Sequence, residues 1–348
     1  MSIKLPWRIT NLYENIINSL FWCRSIIFSV FFRKAKHRIF FNCGFHGKTG
    51  GAIAITSIAN MLSEHFEVFF LSRPTSPLNR YLNPKIRLTQ TVSYTMDLYI
   101  CDLSSDIELL LKLKSRRNTV IVSCHGMPKA SQKLPIERVY RCLNIADMVH
   151  FVSSAQQAEF NLPAHRHKVI ANTCHKIIKT TNTKNAGVVG NLDLPEKGAK
   201  NSVNIALASN ADYIHLWGVE KTKWPQSKVC THPWEHDKKK IYNSFDVLVF
   251  MSESETFGLV VIEAISAGIP CLLSPIPAFR QFENVPGIII VDNPEDIVTN
   301  SKYLNYLLEN KSNFSTGLTS FYMDTYSIRA TQLKWKNFAT KLIQRNSC

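Results

Sequence analysis

Two glutamates eight residues apart, Glu255 and Glu263, stand out in this 348-residue chain. Glu263 interrupts the apolar run Leu259-Val260-Val261-Ile262-Glu263-Ala264-Ile265, where a carboxylate is costly unless something pairs with it. The surrounding residues predict a helix. Ser252 or Thr256 can cap one that starts near Phe257, and Gly268 with Pro270 supplies the stop. Asp246 to Met251 reads as a strand, so the helix N-terminus falls at the strand's C-terminal edge, where open α/β sheets bind ligands. Helix N–H groups there, Gly258 among them, can approach a phosphate. Eight residues of helix span about 12 Å, which suits a ligand with hydroxyl-bearing groups at both ends and a diphosphate between. The same spacing also fits a bland account, in which Glu255 favours the helix dipole and Glu263 tilts to solvent.

The elements that must position these acids follow from periodicity. Arg38 to Asn42 reads as a strand, "CGFHGKTGG" as a Gly-rich loop, Ala52 to His65 as a helix and Glu67 to Leu71 as a strand. Short apolar runs recur at Leu98–Cys101, Val120–Ser123, Met148–Val152 and Lys168–Ala171, with helical stretches between several of them. The polar segment "KIIKTTNTKN", Lys176 to Asn185, breaks the pattern and marks a domain boundary. Strands at Ala186–Val189, Tyr213–Trp217, Asp246–Met251 and Pro270–Ser274 and a helix at Asn201–Ser209 restart it. Strands alternating with helices predict parallel sheets covered on both faces. The expectation is an α/β chain of two Rossmann-like, doubly wound domains facing a cleft, over 38–180 and 186–325. A C-terminal helix in 326–348 then packs back on the N-terminal domain.

Residues 1–37 mix Phe, Ile and Trp with seven basic residues from Lys4 to Arg38, the last just past the segment. The apolar stretch Ile16–Phe32 is broken by Asn18 and Arg24 and lacks a cleavage site, so neither a signal peptide nor a spanning helix is expected. A basic amphipathic helix at an anionic membrane interface and a helix packed on the protein's own surface both fit. The net charge of +15 implies an anionic partner. No recognised nucleic-acid module is present. The nine cysteines form no CxxC pair, which favours a reduced compartment and excludes a zinc ribbon. His165 with His167, and His232 with His236, have ligand-like spacing but lack further ligands nearby, and are read as solvated. A P-loop at Gly47-Lys48-Thr49 fails because Asn42 stands where its first glycine belongs.

"ETFGLVVIEAISAGIPCL" resembles the E-x7-E signature of glycosyltransferase family 4, retaining enzymes of GT-B fold that include bacterial lipopolysaccharide and capsule transferases. Gly50-Gly51 is similar to the family's first-loop glycine pair and Cys124-His125-Gly126 to its histidine turn. "ADMVHFVSS" and "VVGNLDLPEKG" resemble two further conserved stretches of that family. The resemblance implies transfer of a sugar from a nucleotide-diphosphate sugar to a glycan or lipid-linked acceptor in cell-surface polysaccharide synthesis. It further implies an enzyme in the cytoplasm, peripheral on the inner face of the membrane. Glu263 would bind ribose hydroxyls, Glu255 the transferred sugar, and the Phe257-Gly258-Leu259 backbone the sugar and diphosphate. Lys197 would neutralise the diphosphate, Gly50 and Gly51 would admit it, and His125 would face the sugar. Asn191 replaces the arginine usual at its position, removing one of two cations; Lys48 is a candidate substitute. The chain has no Asp-x-Asp, so no metal and no resident cofactor are expected. Asn191 motivates the alternative, a weak or inactive GT-B-like protein that binds a nucleotide sugar.

Overall fold

A computed structural model describes residues 37–44, 50–73, 75–92, 97–126, 135–160 and 162–345. The expected basic segment, but for its last residue, and the Gly47-Lys48-Thr49 stretch lie outside these residues. The N-terminal sheet is built from β1 (Arg38–Asn42), α1 (Gly50–Ser63), β2 (Glu67–Leu71), β3 (Arg87–Thr89), β4 (Leu98–Asp102), α2 (Ile107–Ser115), β5 (Thr119–Cys124), α3 (Ile136–Ile145), β6 (Met148–Phe151), α4 (Ser154–Phe160) and β7 (His167–Val169). Its seven strands run in the order β3-β2-β1-β4-β5-β6-β7. The C-terminal sheet comprises β8 (Ala186–Val189), α5 (Ala199–Leu207), β9 (Ile214–Trp217), β10 (Val229–His232), α6 (Lys238–Tyr242), β11 (Val247–Phe250), α7 (Leu259–Ser266), β12 (Cys271–Leu273) and β13 (Ile288–Ile290). Its order is β10-β9-β8-β11-β12-β13. Two long helices, α8 (Ile297–Thr325) and α9 (Ile328–Arg345), close the described chain.

The central strands explain why the sequence reads as apolar runs rather than alternation. Every residue of β4 and β5, and of β8 and β11, is buried, as expected for parallel strands covered on both faces. Edge strands lose this pattern, and β3 is mostly exposed. In α7 the side chains of Val261, Ile262, Ala264 and Ile265 are fully buried in a core shared with Phe250, Phe279 and Phe282. Each buried Val or Ile contributes about 1.5–3 kcal/mol.

By compactness the chain forms two units. One holds the described residues up to Ser123, those from 135 to Val149, and Lys336 onward; the other holds Cys124 to Gly126 and His150 to Trp335. The expected C-terminal helix is α9, whose last ten described residues, from Lys336, belong with the first unit. No helix among the described residues is long and apolar enough to cross a membrane.

Candidate active site

Each sheet reverses its winding once: between β1 and β4 in the first, and between β8 and β11 in the second. Such reversals open a crevice at the strands' C-terminal ends. In the second unit two loops meet there, Gly190 to Gly198 after β8 and Met251 to Gly258 after β11. Backbone stitches hold them together: Glu253 N donates to Glu196 O at 2.8 Å, and Ser252 Oγ to the same oxygen at 3.0 Å. Gly198 makes this approach possible. Its φ is +61°, and a Cβ there would lie 1.8 Å from Met251 O.

The stitching brings Lys197 and Glu255 together. Lys197 Nζ lies 2.7 Å from Glu255 Oε1, with the two side chains 21% and 16% exposed. The residues expected to hold diphosphate and sugar thus already hold each other. Asn191 is exposed on the loop after β8, and its carbonyl accepts from Leu194 N. Asp193 on that loop accepts from the backbone N–H groups of Thr222, Glu220 and Lys221, which pulls its carboxyl down to about 2 and pins the loop's geometry.

The start of α7 differs from expectation. Neither Ser252 nor Thr256 caps it; the helix begins at Leu259 with Gly258 as N-cap, at φ +90° and without a side-chain acceptor. Ser252 Oγ is spent on Glu196 O and Ser254 O, and Thr256 Oγ1 reaches His125 O at 3.5 Å. A Cβ on Gly258 would meet Phe279 Cε1 at 2.7 Å, so packing as well as φ reserves this position for glycine. The helix stop is as expected: Gly268 has φ +72° and Ile269 N donates to Ala264 O.

Glu263 is not waiting unpaired. Lys238 Nζ lies 3.0 Å from its Oε2, and Tyr242 OH donates to the same atom at 2.7 Å. Both partners come from α6, a signal that sequence reading missed because no spacing rule links residues so far apart. Burial, with the Glu263 charge alongside, pushes the Tyr242 hydroxyl well above its usual range, so it stays a donor. Phe257 is buried, Gln281 Nε2 donates to its carbonyl at 3.1 Å, and Leu259 is half-buried.

His125 follows β5. Burial holds its imidazole down to about 4, hence neutral at pH 7, and its ring meets that of His150 edge-on with centroids 6.0 Å apart. Gly50 and Gly51 open α1 in the first unit. The histidines expected to be solvated divide. His165 and His236 are exposed, whereas His232 lies in β10, stacks on Trp217 at 4.0 Å and meets His215 Nδ1 at 3.0 Å through Nε2. The parallel register of β9 and β10, which sequence alone does not fix, sets that pair. Among the described residues no group of three His, Cys, Asp or Glu is placed to hold a metal, and the described cysteines are all free.

Residues 219–316 match the family model described as "Glycosyl transferases group 1". The chain is 21% identical to the O-antigen biosynthesis glycosyltransferase WclY of Escherichia coli over 63% of its own length, and covers 58% of that relative. By these matches the chain resembles glycosyltransferases, among them one of O-antigen synthesis, and it spans little more than half the length of that relative. Among solved structures it resembles HepE of Anabaena in complex with UDP and glucose: TM-score 0.68, 14% identity, 88% of this chain and 100% of that one. Sucrose-phosphate synthase from Thermosynechococcus elongatus is similar too, with TM-score 0.71, 13% identity and coverage of 89% and 100%. At such identities the likeness establishes the shared fold, two Rossmann-like sheets with a C-terminal helix.

Proposed function

We propose that this protein is a retaining, metal-independent glycosyltransferase of the family-4 type, transferring a sugar from a UDP-sugar to a glycan or lipid-linked acceptor in surface-polysaccharide synthesis. The observation that carries this reading is the Lys197–Glu255 pair at 2.7 Å beside a helix whose N-terminus no side chain caps. A diphosphate entering the β8/β11 crevice meets that cation and the first N–H groups of α7, the donors that stabilise charge on a departing nucleotide. Lys197 then exchanges Glu255 for phosphate, which frees Glu255 to accept from a sugar hydroxyl. Both bonds to Glu263 fall on Oε2, leaving Oε1 to accept from ribose. His125, neutral through burial, serves as a hydrogen-bonding wall rather than an acid. No protein base is assigned, because the leaving phosphate can take the acceptor's proton. The choice of UDP rests on HepE, whose structures hold UDP and UDP-glucose. The polysaccharide context rests on WclY.

The second reading, a nucleotide-sugar binder with little turnover, is favoured by Asn191 and by the fact that Lys197 is already committed to Glu255. One experiment separates the two: UDP-glucose is titrated by thermal shift, and transfer or hydrolysis is measured for the natural chain and Asn191→Arg. Under the transferase reading UDP-glucose raises the melting temperature of both, and the added cation increases turnover about tenfold. Binding without turnover in either chain would establish the second reading.

A further inference from the structure

A cavity of 780 Å³ in the second unit lies beside the switch-point loops, not at Lys197 or Glu263. Its walls are mainly apolar, formed by Val152, Val169, Ile170, Ala171, Pro277 and Ala278. The charged residues that line it are Lys168, Arg280 and Lys334, all cationic and exposed, with no carboxylate among the lining residues. Three exposed cations and no carboxylate among the residues lining one apolar cavity favour an anion that also has an apolar body.

The walls are held from behind, so the cavity is a built one. Ser153 Oγ donates to Thr256 O at 2.7 Å and accepts from Gln156 N at 3.1 Å. Gln281 Nε2 donates to Phe257 O at 3.1 Å and Ala278 O at 2.8 Å, while its Oε1 accepts from Tyr326 OH at 3.3 Å. The Tyr326 ring is buried against Phe257, Phe282 and Phe321. Polar groups that would otherwise demand water are therefore turned into the wall, leaving its surface apolar. The neighbours of the cations are weak: Arg280 meets Glu283 only at 3.9 Å, and Lys334 Nζ reaches Thr325 O at 3.4 Å.

We propose that this cavity binds an amphipathic phosphate monoester, its apolar body on the Val152–Ala278 floor and its phosphate among Lys168, Arg280 and Lys334. Such a ligand can be a membrane lipid or a free phosphorylated metabolite. The inference stands apart from the UDP-sugar site.

The test uses hexyl phosphate titrated calorimetrically into the full chain, with inorganic phosphate and hexanol as controls. Hexyl phosphate should bind at least about tenfold more tightly than either control, since it alone satisfies floor and rim. Arg280→Gln with Lys334→Gln should weaken it about tenfold, and Ser154→Trp, at an exposed lining position, should abolish it. These surface changes spare the core. Equal binding by the variants, or no preference over phosphate, overturns the proposal. UDP titrated into the same variants should be unaffected; if it weakens in parallel, the cavity is part of the donor site and the proposal of a separate one falls. Lys197→Ala supplies the converse: loss of UDP binding with hexyl phosphate retained supports both sites, whereas UDP binding retained overturns the donor assignment alone. Flotation with vesicles containing phosphatidic acid identifies a lipid as the source, and hexyl phosphate binding without flotation identifies a free metabolite.

Discussion

The two sheets reverse in the same way, yet their reversal points are built from different chemistry. At β1/β4, Asp102 accepts from Ser104 N at 2.8 Å and from the Ser104 hydroxyl, Arg138 donates to the Ser104 and Ser105 carbonyls, and Gly44 backs onto Ser104 so closely that a Cβ would sit 2.3 Å from its oxygen. Burial raises the Asp102 carboxyl above its usual range. These polar groups satisfy one another. At β8/β11 a cation, a carboxylate and a helix N-terminus are gathered around one spot, and only the first two are paired. Among the described residues, one topology thus carries a reversal whose charged groups are met by neighbouring polar groups and another that leaves a helix N-terminus uncapped.

That contrast can be broken in graded steps. Lys197→Ala should lower turnover with UDP-glucose by about 10²–10³-fold, the usual cost of removing one donor from a charge-stabilising site; a change under threefold would put the chemistry elsewhere. Next comes the stitch between the loops. Gly198→Ala forces an L-residue into positive φ against Met251 O, and urea unfolding should show a loss of about 2–3 kcal/mol.

The pH dependence follows. His125 and His215 are held down to about 4 and His150 to about 3 by burial, from an ordinary value of 6.5, and all three lie in the second unit. Between those limits the unfolded chain binds more protons, so stability is full above 6.5 and falls as pH drops toward 4. The expected loss by pH 5 is about 2 kcal/mol for a fully buried imidazole such as His150. Urea midpoints at pH 7 and pH 5 measure it, and His150→Phe should flatten the slope. The smallest effect belongs to the first reversal: Asp102→Asn should cost about 1 kcal/mol of stability and leave UDP affinity unchanged.

Much of this was legible in the sequence. Buried parallel strands announce themselves as apolar runs, and Glu255, Phe257-Gly258 and Glu263 fall on a strand–loop–helix unit as their order implies. Pairings across the sheet were not legible. Lys238 and Tyr242 reach Glu263, and His215 reaches His232, because helix docking and strand register join residues that no local period connects. The capping expectation failed for a related reason. Ser252 and Thr256 are good caps in isolation, but two neighbouring loops, one after β8 and one after β5, offer their hydroxyls the carbonyls of Glu196 and His125.

The polar segment from Lys176 to Asn185 shows what such tertiary contacts can conceal. Thr180 N and Thr181 Oγ1 bond Asn243, Thr183 bonds Asp246 through both its N–H and its hydroxyl, and Lys179 and Lys311 close on the same carboxylate at 3.1 and 3.0 Å. The stretch expected to mark a domain boundary is bonded to the residues just before β11 and, through Lys311, to α8. It is a strap rather than a hinge: bonded to Asn243 and Asp246, the chain enters β8 already anchored.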